Sequence, residues 1–64
     1  MDKSALIARK HEVIARIART RRELERENAR ASRKNKRRRE LLQRQLDALM
    51  DEEHRLRLLI DRSR

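Results

Sequence analysis

Arg26-Glu-Asn-Ala-Arg-Ala-Ser-Arg-Lys-Asn-Lys-Arg-Arg-Arg39 is the stretch on which the fold turns. Eight of its side chains are basic (Arg26, Arg30, Arg33, Lys34, Lys36, Arg37, Arg38, Arg39), and Glu27 is its one acid. Ala29 and Ala31 are its only apolar residues, so no large hydrophobe lies between Leu24 and Leu41. Either the chain crosses this stretch as uninterrupted helix or it folds back within it.

On both sides the pattern is helical. In residues 1–25, Ile7, Ile14, Ile17 and Leu24 share one face, with Leu6 and Val13 beside them. In residues 41–64, Leu42, Leu46, Leu49, Leu56 and Ile60 form a stripe that Glu53 interrupts. Spacings of three, four and seven mark a narrow coiled-coil seam rather than the broad face of a globular helix. A seven-residue frame also links Ile7, Ile14, Arg21, Asn28, Asn35, Leu42, Leu49 and Leu56. The Leu42, Leu49 and Leu56 ladder is leucine zipper-like, and asparagine at a seam position fixes register at some cost in stability. The reading is an all-α protein, one structural unit made of arm 1–25, basic segment 26–40 and arm 41–64. Its oligomer seam runs through Ile7, Ile14, Ile17, Leu24, Leu42, Leu46, Leu49, Leu56 and Ile60.

Composition agrees. The 64 residues contain no Gly, Pro, Cys, Phe, Tyr or Trp, and 48% are charged. Without Gly, hairpin strands and tight loops are disfavoured, and without Cys there is neither a disulfide nor a thiolate metal site. A chain this short buries too little alone to be comfortably stable, which predicts a homo-oligomer. Asp2 and Ser4 suit a helix N-cap. Glu12–Arg16, Glu40–Arg44, Asp51–Arg55 and Glu53–Arg57 are acid-first pairs spaced i,i+4, as on a solvated helix face.

Two architectures satisfy the arms. One is a long self-associating coiled-coil helix of about 90 Å, at 1.5 Å per residue. The other is a helical hairpin, two copies of which make a four-helix bundle. A fold about residue 33 would oppose Leu24 with Leu42, Ile17 with Leu49 and Leu6 with Ile60. Turn chemistry favours the continuous helix: Ser32 and Asn35 are the only turn-formers between Ala29 and Arg39. Lys36–Arg39 would also meet the positive end of a new helix dipole.

The net charge of +9 speaks of partners. On one helix Arg30, Arg33, Lys34, Arg37 and Arg38 make a cationic stripe, widened by Lys36 and Arg39. Arginine forks fit phosphate, and each phosphate neutralised releases counterions. The expected partner is DNA or RNA, with duplex DNA favoured. The absence of aromatics removes a base-stacking platform for single strands. The alternative is an adaptor coil that docks on an acidic protein or packs within a nucleoprotein or virion assembly.

Asn28-Ala-Arg-Ala-Ser-Arg-Lys-Asn-Lys36, followed by the leucine ladder, resembles the basic region of basic-leucine-zipper transcription factors. The resemblance implies a DNA-binding helix in the major groove, with Asn28 and Lys36 at base edges or phosphates and Ala31 and Ser32 against bases. Lys36 stands where that family has Arg, Asn35 where it has Ser or Cys, and Ser32 where it has a second Ala. The zipper leucine expected ten residues beyond Lys36 is Leu46, one step off the Leu42 ladder.

No metal site is expected, because His11 and His54 lack the further ligands a tetrahedral ion needs. No nucleophile–base pair, Gly-rich phosphate loop or metalloprotease motif is present, so neither an enzyme nor a cofactor is expected. No apolar run reaches membrane length, and the basic segment has no apolar face to insert. The expected setting is intracellular and soluble, in cytoplasm, nucleoid or nucleus.

Overall fold

Asp2 starts the first helix as the sequence predicts: its Oδ1 accepts the Ala5 N–H at 3.0 Å, meeting one of the donors a helix start leaves open. From there α1 runs Lys3–Arg30, a single 3-10 turn spans Arg33–Asn35, and α2 runs Lys36–Arg62. The structure, a computed structural model, describes residues 2–30 and 33–63. There is no strand among the described residues.

The helices pack against each other as a hairpin. Arg9 lies across from Glu52, and Glu23 and Glu27 lie across from Arg38, so the two run antiparallel. The Cα trace measures 49 × 14 × 13 Å, and its radius of gyration of 14.7 Å exceeds the roughly 11 Å of a compact domain this long.

The continuous helix is therefore incorrect; the hairpin is the structure, and burial explains why. Along α1 the buried and half-buried positions include Leu6, Lys10, Val13, Ile17, Thr20, Leu24 and Glu27, alternating by four and three. From the end of the 3-10 turn along α2 they include Asn35, Arg39, Leu42, Leu46, Leu49, Glu53, Leu56 and Ile60, with the same alternation. Between Glu27 and Asn35 the count is eight rather than seven. One extra residue turns an α-helix by about 100°. On a straight helix the Leu6–Val13 stripe would face away from the Leu42–Leu56 stripe, and only the Ile7–Ile14 stripe would stay in frame with it. Folding back frees each helix to rotate independently until its stripe meets the other.

The same offset relocates part of the expected stripe within the hairpin. Leu6 (4% exposed) and Val13 (0%) enter the core, where they cluster with Leu56 and are flanked by Ile17, Leu49 and Ile60. Ile7 is half-buried and Ile14 is 44% exposed. Leu42 and Leu46 are buried nearer the turn, and Leu24 is half-buried. Glu53 sits at a seam position with its carboxylate drawn to Arg57 at 2.7 Å. Of the i,i+4 pairs read from the sequence, Glu12–Arg16 and Asp51–Arg55 form alongside it, at 3.0 and 2.8 Å. Among the described residues no helix is long and apolar enough to cross a membrane.

The core is small, so each buried leucine carries much of it. Leu56→Ala is expected to cost about 2–4 kcal/mol by urea denaturation, whereas Leu41→Ala, at an exposed position, should stay within about 0.5 kcal/mol. Equal losses at both positions would overturn the seam described above.

Candidate functional site

The basic segment does not form one helical stripe. Arg30 closes α1, Arg33 and Lys34 lie in the 3-10 turn, and Lys36, Arg37 and Arg38 make the first turn of α2. The hairpin gathers these charges at one end of the rod. Ala31 and Ser32, to which the zipper-factor resemblance gives base contacts, lie outside the described residues. The remaining residues of that resemblance fall on three separate elements, which no longer present one helix to a groove.

Asn35 organises this end. Its Nδ2 donates to the Glu27 main-chain carbonyl at 2.8 Å and to Glu27 Oε2 at 3.0 Å. Glu27 is among the last four residues of α1, whose carbonyls a helix leaves without a following N–H partner. The second helix thus supplies a cap to the first. The asparagine spent in this way offers no side-chain cap to its own helix, although it occupies the N-cap position of α2. The Glu27 carboxylate, only 15% exposed, also draws in Arg38 Nε at 3.4 Å, and Arg38 Nη2 reaches Glu23 at 4.0 Å.

The eight residues assigned to phosphate binding therefore divide. Arg30, Arg33, Lys34, Lys36 and Arg37 are exposed, and among the described residues none is in an ion pair. Arg38 is exposed but held by Glu23 and Glu27. Arg39 is half-buried at a seam position, and Asn28 is exposed on the α1 flank. Sequence reasoning missed Glu27. The signal was there, a single acid in a cationic run, eight residues ahead of an asparagine.

No acid lies in the first turn of α2, so the positive pole of its dipole is crowded by Lys36, Arg37 and Arg38. Positive potential piles up there from the side chains of α1, the turn and α2, while the positive pole of α2 is offset by the negative pole of α1, which ends beside it. Such an end attracts anions and repels itself when bare. At the other end charges alternate. Arg16 pairs with Glu12, Glu12 with Arg9 at 3.4 Å, and Arg9 Nε with Glu52 across the seam at 2.8 Å. The hydrogen bond from Arg9 holds the Glu52 carboxyl below its ordinary 4.5. Partial burial opposes that shift, and the charges of Arg9, Arg16 and Arg55 add to it.

No cluster of His, Cys, Asp and Glu able to hold a metal ion occurs among the described residues. No protein-family model, curated protein or solved structure matches this chain.

Two measurements probe these contacts. Asn35→Ala should lose about 1–2 kcal/mol, and Asn35→Asp more, because a carboxylate would face both the carbonyl and the carboxylate of Glu27. Urea titration of the two variants checks that order. Glu52 has a folded pKa below its unfolded one, so its contribution is present above about pH 4.5 and lost as pH falls through the depressed value. Glu52→Gln should accordingly flatten the acid side of a melting-temperature profile between pH 6 and pH 3, with wild type and variant converging at the acid end.

Proposed function

We propose that this protein binds the phosphate backbone of nucleic-acid duplexes, DNA ahead of RNA, through the basic end of a self-associating coiled-coil hairpin. The observation that carries this reading is the set of exposed cations Arg30, Arg33, Lys34, Lys36 and Arg37, left without carboxylate partners among the described residues. Glu23 and Glu27 are committed to Arg38, and Glu40, near Lys36 and Arg37, is in no ion pair among the described residues. A cluster of this kind costs stability until an anion neutralises it, and a duplex offers phosphates at regular spacing along two strands. The four-three alternation in both helices is the spacing of an antiparallel coiled coil, a stiff support for such an end.

The hairpin alters the expected mode of contact. Two packed helices lie 8–10 Å apart axis to axis and are together about 20 Å wide with side chains, against a major groove about 12 Å wide. A hairpin end of that width meets phosphates across a groove instead of laying one helix within it. Contacts of this kind position a protein without reading sequence. Asn28, on the α1 flank, then contributes at the backbone, not as the base-reading residue of a zipper factor.

Five neutralised phosphates predict a slope of about −4.5 in log affinity against log salt, each contact contributing about −0.9. Arg33→Ala should weaken binding to all duplex sequences alike and make the slope shallower by about one unit, while Arg55→Ala, far from this end, should leave it unchanged. Fluorescence anisotropy with mixed-sequence duplex DNA and duplex RNA at several salt concentrations reads all three. If neither polymer binds more tightly than about millimolar at physiological salt, the basic end serves an acidic protein partner instead.

A further inference from the structure

We infer that the face of the hairpin carrying Ile7, Ile14 and Met50 is covered by a second copy of this chain, the two hairpins lying antiparallel so that their basic ends point in opposite directions. This rests on the self-association proposed above and is independent of the nucleic-acid reading.

The first argument is area. The chain exposes 5427 Å² at a mass of 7.8 kDa, whereas a compact monomer of that mass exposes about 4,400 Å². The excess, about 1,000 Å², is close to the roughly 800 Å² each partner buries in a standard protein–protein interface. Some of the surplus is apolar: Ile14, Leu41, Met50, Leu58 and Leu59 are all 43% exposed or more.

The second argument selects the face. Two sides flank the seam. On one lie Arg9, Arg38, Glu23 and Glu52, and every inter-helix ion pair among the described residues crosses there. The exposed leucines nearest that side, Leu41 and Leu59, are eighteen residues apart, about 27 Å along the helix, with Gln45, Glu52 and Arg55 between them. They make no patch. On the other side Ile7 and Ile14 lie one heptad apart, and Met50 faces them from α2. Arg21, a further heptad along, donates to Met50 Sδ at 3.9 Å, which places Met50 on the Ile14 side of the seam. Ile7, Ile14 and Met50 make an apolar patch on this side, bounded by Arg21, Gln43 and Arg57 one heptad along, and no inter-helix ion pair crosses it among the described residues. It is also the Ile7–Ile14 stripe that the offset frame leaves out of the hairpin core.

The third argument sets the orientation. If the hairpins lay parallel, two basic ends would stand side by side at a helix spacing of about 10 Å, each with five exposed, unpaired cations among its described residues. Antiparallel pairing about a two-fold axis at Ile14 separates them. The cost is that Lys10 and Arg21 are brought towards their symmetry mates. Lys10 is four residues from the axis and Arg21 seven, so those pairs stand about 12 Å and 21 Å apart. Both distances exceed the Debye length of about 8 Å at physiological salt. The antiparallel arrangement is the weaker repulsion. Ile14 is sixteen residues from Arg30 and eleven from Lys3, about 24 Å and about 16 Å. Each basic end consequently projects about 8 Å beyond its partner's open end and stays accessible.

Sedimentation equilibrium of the full chain tests the interface, and oxidative cross-linking tests the orientation. Wild type should be dimeric at micromolar concentration. Ile14→Glu should raise the dissociation constant at least about a hundredfold, and Leu59→Glu should change it less than about threefold. The chain has no cysteine, so Ile14→Cys introduces a lone thiol next to its symmetry mate. Mild oxidation should join the copies through that position, whereas Ile7→Cys, about 21 Å from its mate in the antiparallel pair but beside it in a parallel one, should remain unlinked, as should Leu59→Cys. Cross-linking also keeps the proposal testable if Ile14→Glu unfolds the chain. A wild type that stays monomeric at all concentrations overturns both this inference and self-association. A dimer that tolerates Ile14→Glu, dissociates with Leu59→Glu, or fails to cross-link through Ile14→Cys overturns this inference alone.

Discussion

Two hydrogen bonds from one amide group hold the hairpin in its shape. Asn35 Nδ2 binds both the main chain and the side chain of Glu27, and through that carboxylate Arg38 is drawn in as well. The apolar seam alone is a poor determinant of register, since leucines at heptad spacing can slide by one repeat and meet new leucines. A fixed polar contact beside the turn removes that freedom, because sliding would strand Glu27 and Asn35 in a half-buried place without each other. It also ties the last turn of one helix to the first residue before the next, where turn-forming glycine or proline would ordinarily be found.

That contact has an electrostatic consequence. By consuming the acid of the cationic run it leaves the neighbouring cations to solvent, and by turning Asn35 towards α1 it leaves the start of α2 without a side-chain cap. The device that closes the hairpin thus sharpens the charge at its end. The far end behaves differently: the Arg16, Glu12, Arg9 and Glu52 series neutralises itself, so the rod is polar in the sense that one end is strongly basic and the other mixed.

Much of this was legible in the residues. The helices, the Asp2 cap, the α2 ladder and three of the four i,i+4 pairs follow from spacing and propensity. The phase of α1 did not. Leu6-Ile7 and Val13-Ile14 are adjacent apolar doublets, and each offers two stripes one residue apart. Only the opposing helix decides which stripe is buried. The turn was hidden for a related reason: its stabilising partner, Glu27, lies on the preceding helix, so a search for local turn-formers finds Asn35 and undervalues it. At the basic end, composition gave the charge but could not say that Arg39 faces the seam while Arg37 faces solvent.

The eight-residue step from Glu27 to Asn35 makes the architecture sensitive to a single codon. Removing one residue between them would put the Leu6–Val13 stripe, in place of the Ile7–Ile14 stripe, in one seven-residue frame with Leu42, and a straight rod, about twice as long, could then bury the two along one side against another chain. Hydrodynamic length would report the change. Chain length at the turn thus decides which stripe of α1 a straight rod of this sequence would present beside the leucines of α2.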